Sequence, residues 1–285
     1  MEMLKQDAEP EAQKVTATFK SIKLINAQTI ETVKAKTLVF KITHRFENIA
    51  EDGNPDGHSL YGFDNASNIR ISFDYGVCDR LLIGIGRSKV REHIDGSLKY
   101  KILAQSTDNK MPLSVAWYSN MAVTPMKSPK FTDGTYKWTK TEHRFSYSHQ
   151  LIIARKFSPG ISFEILPTFV HRNLVNELVN TENGAEEQND LFSLGFAGRV
   201  KITPRIALVA DYFYTFSEFR KKNPENPYFA PLGIGVEIET GGHVFHINFS
   251  NSAGIIENDY IPDTPDSWSK GEIKFGFNIS RVFFL

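Results

Sequence analysis

The sequence has little of what marks several common classes of protein. It contains a single cysteine, Cys78, so no internal disulfide can form and the cysteine content does not indicate a compartment. No apolar run approaches the roughly 18 residues that a transmembrane helix requires. The formal net charge is zero, with 33 basic and 33 acidic residues, so the chain has no electrostatic basis for binding nucleic acid.

The lack of an apolar helix does not exclude a membrane, because strands can also cross one. A strand of a membrane barrel needs about 9–11 residues, and only every second residue has to be apolar. Such a chain looks polar on average, which agrees with the mean hydropathy of −0.30. Its 22 phenylalanines and 10 tyrosines supply the large apolar side chains that these strands would need.

Strand patterns dominate the sequence. Alternation with period two, bounded by Gly, Pro, Asn and Asp, predicts twelve strands. They span 37–46, 66–76, 81–88, 96–104, 112–124, 141–156, 161–172, 190–202, 205–215, 232–239, 243–250 and 272–284. One face carries Phe, Tyr, Trp, Ile and Leu, while the other is charged or very small. A soluble barrel fills its interior with bulky apolar side chains, so this pattern indicates lipid outside and a polar lumen inside.

The connections between the predicted strands alternate in length. Those after even-numbered strands are short, such as Thr203–Pro204, and those after odd-numbered strands are mostly long, such as 173–189. Short periplasmic turns and longer external loops are typical of outer-membrane barrels. We therefore predict an all-β fold, a 12-stranded antiparallel transmembrane β-barrel over residues 37–285, closed by pairing of 37–46 with 272–284.

The residues before the first strand fall into two parts. Residues 1–14 are charged or polar and are predicted to form a disordered tail. They contain no apolar signal core, so either a signal peptide has been removed or the protein is cytosolic, and the strand pattern favours removal in a bacterial outer-membrane protein. Residues 15–36 are weakly apolar and are predicted to form an arm or plug that enters or caps the lumen from the periplasmic side.

Several blocks of the sequence are similar to a known family. They include Phe63–Ser88 (FDNASNIRISFDYGVCDRLLIGIGRS), Glu239–Ile256 (ETGGHVFHINFSNSAGII) and Gly271–Phe283 (GEIKFGFNISRVF). These blocks resemble a family of predicted outer-membrane β-barrels that is common in the Bacteroidetes. The resemblance implies the barrel and the compartment, and it implies no activity.

Two sets of inward-facing charges lie on roughly opposite sides of the predicted ring. The basic set lies on the second and fourth strands and comprises Arg70, Lys99 and Lys101. The acidic set lies on the ninth and tenth strands and comprises Asp211, Glu237 and Glu239. In an open pore, such facing walls would orient polar solutes. The alternative is that each charge pairs with a nearer partner inside a narrow or blocked bore.

A polar patch interrupts the outward apolar register of the fifth to seventh strands. It comprises Ser119, His143, His149 and His171. Four interpretations stay open: interfacial histidines, a local bulge that shifts the register, contact with a protein partner, or the site of a lipid-acting enzyme, although no catalytic motif accompanies the patch. No metal-ligand spacing is present either, since His243 and His246 would point to opposite faces of a strand. We expect no metal and no cofactor.

The favoured function is a passive outer-membrane channel or porin for small polar solutes, without enzymatic activity. The alternative is a non-transporting structural barrel that binds a protein partner through its loops, the outward patch or the N-terminal arm. A lipid-acting barrel enzyme is the third hypothesis. The expected surroundings are membrane lipid and lipopolysaccharide. The basic loop run Arg220–Lys222 either contacts the phosphates of lipopolysaccharide or is exposed to solvent.

Overall fold

The computed structural model describes residues 13–51, 53–55, 57–130 and 134–285, which form a closed antiparallel barrel. Residues 1–12 of the predicted tail (1–14) lie outside the described residues. The twelve barrel strands are β1 (Thr37–Asn48), β2 (Ala66–Cys78), β3 (Leu81–Ser88), β4 (Ile94–Leu103), β5 (Ser114–Val123), β6 (Phe145–Ser158), β7 (Ile161–Arg172), β8 (Asp190–Lys201), β9 (Ile206–Phe216), β10 (Leu232–Thr240), β11 (His243–Ser250) and β12 (Lys274–Phe284).

Each strand pairs with its neighbours in sequence, and β1 closes the ring against β12. In that closing pair Leu38 lies opposite Phe283 and Ile42 lies opposite Ile279. The predicted 12-stranded antiparallel barrel and its closing pair are therefore confirmed. The largest difference in strand bounds is at β6, which begins at Phe145 because residues 141–144 form a 3-10 turn.

Side chains alternate between the outside and the inside of the wall. In β2, Ile71 and Phe73 are exposed on the outer surface, while Arg70 and Ser72 between them are buried inside. The other strands show the same outward set of large apolar side chains. This arrangement is the reverse of a soluble barrel and fits an outer surface in contact with lipid.

The two ends of the barrel differ in their connections. At one end, the turn end, two-residue turns at 79–80, 159–160 and 241–242 join consecutive strands. At the other end, the loop end, long connections such as 173–189 and 251–273 join them. The first strand, β1, begins at the turn end, and the last strand, β12, finishes there.

Two segments lie inside the wall. The arm (residues 13–36) enters from the turn end, and the inserted loop (residues 251–273) folds inward from the loop end. The arm is buried almost completely over residues 21–30, and the inserted loop is buried over residues 254–262. The inserted loop contains a single helical turn, α1 (Glu257–Tyr260). No helix of the described residues is long and apolar enough to cross a membrane.

One sector of the lumen is apolar, which differs from the expected inner face of charged and very small residues. The inward side chains of β6 to β9 include large apolar groups that pack with the arm into one buried cluster. On the wall these are Ile152, Leu166, Val170, Leu191, Val209 and Phe213, and on the arm Phe19, Leu24, Ile25 and Ile30. The expectation is wrong for this sector because the arm shields these side chains from water.

The outward orientation of Ile71 in the middle of β2 gives a test of the lipid-facing surface. We expect Ile71→Arg to lower the free energy of unfolding in lipid vesicles by about 2–4 kcal/mol, because it places a charge near the bilayer midplane. Val77 is exposed at the turn end of the same strand, and Val77→Arg should cost about 0–1 kcal/mol. Equal costs at the two positions, measured by urea unfolding, would contradict this orientation in the membrane.

Candidate functional site

The arm enters and leaves the lumen at the turn end. Near its start, the Val15 N–H donates to the carbonyl of Gln105 in the β4–β5 turn, at 2.8 Å. Near its end, the Lys36 N–H donates to the carbonyl of Gly76 in β2, at 2.9 Å. The residues between these two anchors form an inverted U, and its tip lies deep inside the barrel.

A tight turn at residues 24–27 forms this tip. The Leu24 N–H donates to the Ala27 carbonyl at 2.8 Å, and the Thr29 N–H donates to the Ile22 carbonyl at 3.1 Å. These two bonds hold the turn closed and leave the N–H groups at its apex without a partner in the arm itself. Buried N–H groups of this kind require an acceptor from elsewhere.

Asp211, in the middle of β9, is that acceptor. Its Oδ2 accepts hydrogen bonds from the backbone N–H groups of Ile25, Asn26 and Ala27, at 3.1, 2.6 and 2.9 Å. The Asn26 side-chain amide donates to the other carboxylate oxygen at 3.0 Å. Across from this contact, a Cβ at Gly233 would lie 2.7 Å from Ile25 Cγ2, so the glycine leaves the space that the tip occupies.

Lys99, in β4 on the opposite side of the ring, also binds the arm. Its Nζ donates to the carbonyls of Ile22 and Thr29, at 2.7 and 2.9 Å. The arm therefore connects the predicted basic and acidic walls. Its carbonyls accept hydrogen bonds from Lys99, and its N–H groups donate hydrogen bonds to Asp211. Backbone groups of one short segment satisfy both buried charges.

Three further lumen side chains hold the tip, and the sequence analysis did not single them out. Arg45 Nη2 donates to the Ile25 carbonyl at 2.9 Å, and the Asn278 side-chain amide donates to the Leu24 carbonyl at 2.6 Å. Glu164 Oε2 accepts from the Ile30 N–H at 3.2 Å. All three lie on the inward register of their strands, but the sequence does not show which inward polar groups meet the arm.

The other predicted wall charges also have partners. Two of them pair with the arm, so with Lys99 and Asp211 four of the six predicted residues contact it. The pairs are Arg70 with Asp95, Lys101 with Glu31 at 3.6 Å, Glu237 with Arg199 at 2.7 Å and with His246 at 3.2 Å, and Glu239 with Lys20 at 3.1 Å.

The arm and the inserted loop meet inside the barrel and close it. Lys23 Nζ donates to the Ile255 carbonyl at 2.6 Å and lies 3.6 Å from Glu257 Oε1. Burial lowers the pKa of Lys23 to about 8, against the opposing effect of the Glu257 carboxylate. Lys23 lines two cavities, whose volumes are about 10 and 50 Å³. These volumes hold a few water molecules and are too small for a solute.

The outward patch is partly assembled. Ser119 Oγ lies 2.9 Å from His149 Nδ1 and accepts from the Trp117 indole N–H at 2.8 Å. Within the described residues, no acidic side chain bonds to His149. His171 is on the next strand and pairs with Asp190, so it does not complete a catalytic set.

His143 is not part of that patch. It lies in the 3-10 turn before β6, where it lines a cavity at the loop end. The expected register placed it on a strand that in fact begins two residues later. Among the described residues, no group of three or more His, Cys, Asp and Glu side chains could hold a metal ion.

A model of the DUF5777 family, described as a membrane bound beta barrel domain, matches residues 19–283. The chain belongs to this family. The match begins inside the arm and ends in β12, so the matched region includes the arm's tip and residues of all twelve strands. A search of curated proteins finds no match to the chain.

Solved outer-membrane barrels share this fold. The NanC porin is 9% identical, with a TM-score of 0.51, and the match covers 87% of this chain and 99% of that chain. An outer membrane channel from Pseudomonas putida F1 is 11% identical, with a TM-score of 0.50, and the match covers 89% of this chain and 98% of that chain. At such low identity the likeness establishes the barrel fold alone.

The contact between Asp211 and the arm predicts a local effect of mutation. In Asp211→Ala, the N–H groups of residues 25–27 lose their acceptor, and each bond to a charged group contributes about 1.5–3 kcal/mol. We expect hydrogen exchange at these three amides to accelerate by at least about tenfold. Asp190→Ala is the control, because it removes an exposed carboxylate of β8 and should leave these amides protected. Unchanged exchange in Asp211→Ala would contradict the anchoring role.

Proposed function

We propose that the protein is an outer-membrane channel for small polar solutes, and that the arm and the inserted loop hold it closed in this structure. The observation that carries the proposal is the docking of the arm on Asp211 and Lys99. The wall forms a complete ring of strand pairs without the arm. Withdrawal of the arm therefore breaks no pairing between barrel strands.

The polar contacts of the arm favour a removable plug. A hydrogen bond to a charged group has a net value of about 1.5–3 kcal/mol, and the charges that withdrawal of the arm exposes can be hydrated in its place. Withdrawal would free Lys99, Lys101, Asp211 and Glu239 to face the lumen. Charged side chains around a bore set its selectivity for solutes.

The arrangement at the turn end favours a periplasmic position for the arm. Outer-membrane barrels place their short turns in the periplasm, and both anchors of the arm lie beside such turns. A periplasmic arm could leave the lumen without passing through the loops at the outer surface. We assign no enzymatic activity to the protein.

A second candidate function is a non-transporting barrel that binds a protein partner. The apolar cluster shared by the arm and β6 to β9 favours it. Fully burying one large apolar side chain stabilises by about 1.5–3 kcal/mol, and the arm contributes Phe19, Leu24, Ile25 and Ile30. If this core outweighs the exchange of polar contacts with water, the arm stays in place and the lumen never opens.

Planar bilayer recordings distinguish the two functions. We expect the protein lacking residues 1–36 to conduct more than the full chain, because the arm no longer fills the lumen. A full-chain variant with Asn26→Cys and Ser250→Cys, in a Cys78→Ser background, provides a reversible lock, since these two side chains touch at 3.3 Å. Its conductance should fall on oxidation and recover on reduction.

An absence of conduction would contradict the channel and favour the partner-binding barrel. This result has to hold for the full chain, for the reduced double-cysteine variant and for the protein lacking the arm. Folding of each protein is checked by the heat-dependent shift in gel mobility that intact membrane barrels show. A folded, arm-free barrel without conduction would leave no role for the arm as a removable plug.

Ion selectivity gives a prediction for the lumen charges. In the arm-free protein, Lys99→Gln/Lys101→Gln should shift the reversal potential under a salt gradient toward cations, because it removes positive charge from a confined space. Glu237→Gln/Glu239→Gln should shift it toward anions. If both variants shift in the same direction, or neither shifts, these residues do not set the selectivity.

A further inference from the structure

A cavity of about 420 Å³ lies at the loop end, above the closed part of the lumen. Described residues of the connections that follow β5, β7 and β9 surround it, and residues at the loop end of β6 and β7 contribute to its wall. The inserted loop lies beneath it, where Asn258 donates to Ser146 Oγ at 3.0 Å and Asp259 lies 3.1 Å from His93. Ligand sites commonly have volumes of about 300–1,000 Å³, so this space is large enough for a small solute.

The described residues that line this cavity carry an excess of positive charge. Five cationic side chains, Arg91, Lys137, Arg144, Arg172 and Arg220, line it. Three carboxylates, Glu187, Glu225 and Asp263, line it as well. With the histidines neutral, the lining therefore has a net charge of about +2, although the whole chain has a net charge of zero.

The contacts of these cations leave part of their charge unneutralised. Glu187 Oε1 accepts from both Arg172 and Arg220, at 2.6 and 2.9 Å, so one carboxylate serves two guanidinium groups. Arg144 donates to backbone carbonyls of residues 124 and 126, which do not cancel its charge. Burial lowers the pKa of Lys137, and the positive charges of Arg91 and Arg172 lower it further.

Arginine side chains supply most of the positive charge of this lining. They are Arg91, Arg144, Arg172 and Arg220. Guanidinium groups bind planar oxyanions with directional, charge-assisted bonds.

We propose that this cavity binds a small solute bearing a carboxylate or phosphate group. The assignment names a solute class for the channel and rests on the proposed function for its role in transport. Binding can nevertheless be measured without conduction. Lipid phosphate of lipopolysaccharide has the same chemistry as a free anion, so the test has to separate the two sources.

The test measures binding of citrate and inorganic phosphate to the full chain by titration calorimetry, with glucose as the neutral comparison. In lipid vesicles free of lipopolysaccharide, we expect the protein to bind at least one of the two anions and not glucose. Lys137→Gln/Arg144→Gln should weaken that binding by about tenfold to a hundredfold, because charge-assisted contacts are lost. Lys221→Gln/Lys222→Gln removes the same charge from loop residues that do not line this cavity and should leave the affinity unchanged.

Three results would overturn the inference: no anion binding by the wild type, equal weakening by the two double variants, or equal binding of glucose. Competition with lipopolysaccharide identifies the source of the oxyanion. Loss of citrate binding in vesicles containing lipopolysaccharide supports the site with a lipid phosphate as its occupant, and retained binding supports a free solute. A protein that binds citrate and does not conduct would contradict the channel and leave the anion site intact.

Discussion

The hydrogen bonds between Asp211 and the arm's turn are the contact on which the interior of the barrel depends. A carboxylate removed from water is costly unless charges or hydrogen bonds satisfy it, and the N–H groups of a buried turn need acceptors equally. Each satisfies the other here, since three consecutive N–H groups converge on one carboxylate oxygen. Gly233 leaves the space for this contact, and Arg45 holds the carbonyl of Ile25 from the opposite side.

The docked arm contacts both a polar sector and an apolar sector of the lumen. On one side, Lys99 and Asn278 bind its carbonyls. On the other side, its apolar side chains cover Leu166 and Phe213, which would otherwise face water. The polar contacts fix the depth and orientation of the arm because they are directional, while the apolar contacts supply much of the stabilisation because they scale with buried area. Without the arm, water would have to fill the lumen against both the polar and the apolar sector.

The wall could be predicted from the sequence because its signal is local. In β2, apolar and polar residues alternate without exception from Ile69 to Asp74, and this pattern fixes both the strand and its outward face. The interior could not be predicted to the same degree. In β9, the inward residues Val209 and Phe213 are as apolar as their outward neighbours, so alternation does not show that they form a core. Asp211 and Asn26 are 185 residues apart, and no local pattern indicates that they meet.

Closure by two segments means that the arm and the inserted loop are energetically linked. Glu257 is fully buried and lies 3.6 Å from Lys23 of the arm, so withdrawal of the arm leaves a buried carboxylate without its cation. Loss of one partner from a buried pair costs about 3–5 kcal/mol, which the inserted loop can relieve by exposing Glu257 to water. Linkage is reciprocal: the inserted loop in place favours the docked arm by the same coupling free energy with which the docked arm favours the inserted loop. The contacts of Asn258 and Asp259 beneath the loop-end cavity therefore contribute to closure at the turn end, although no residue of the arm lines that cavity.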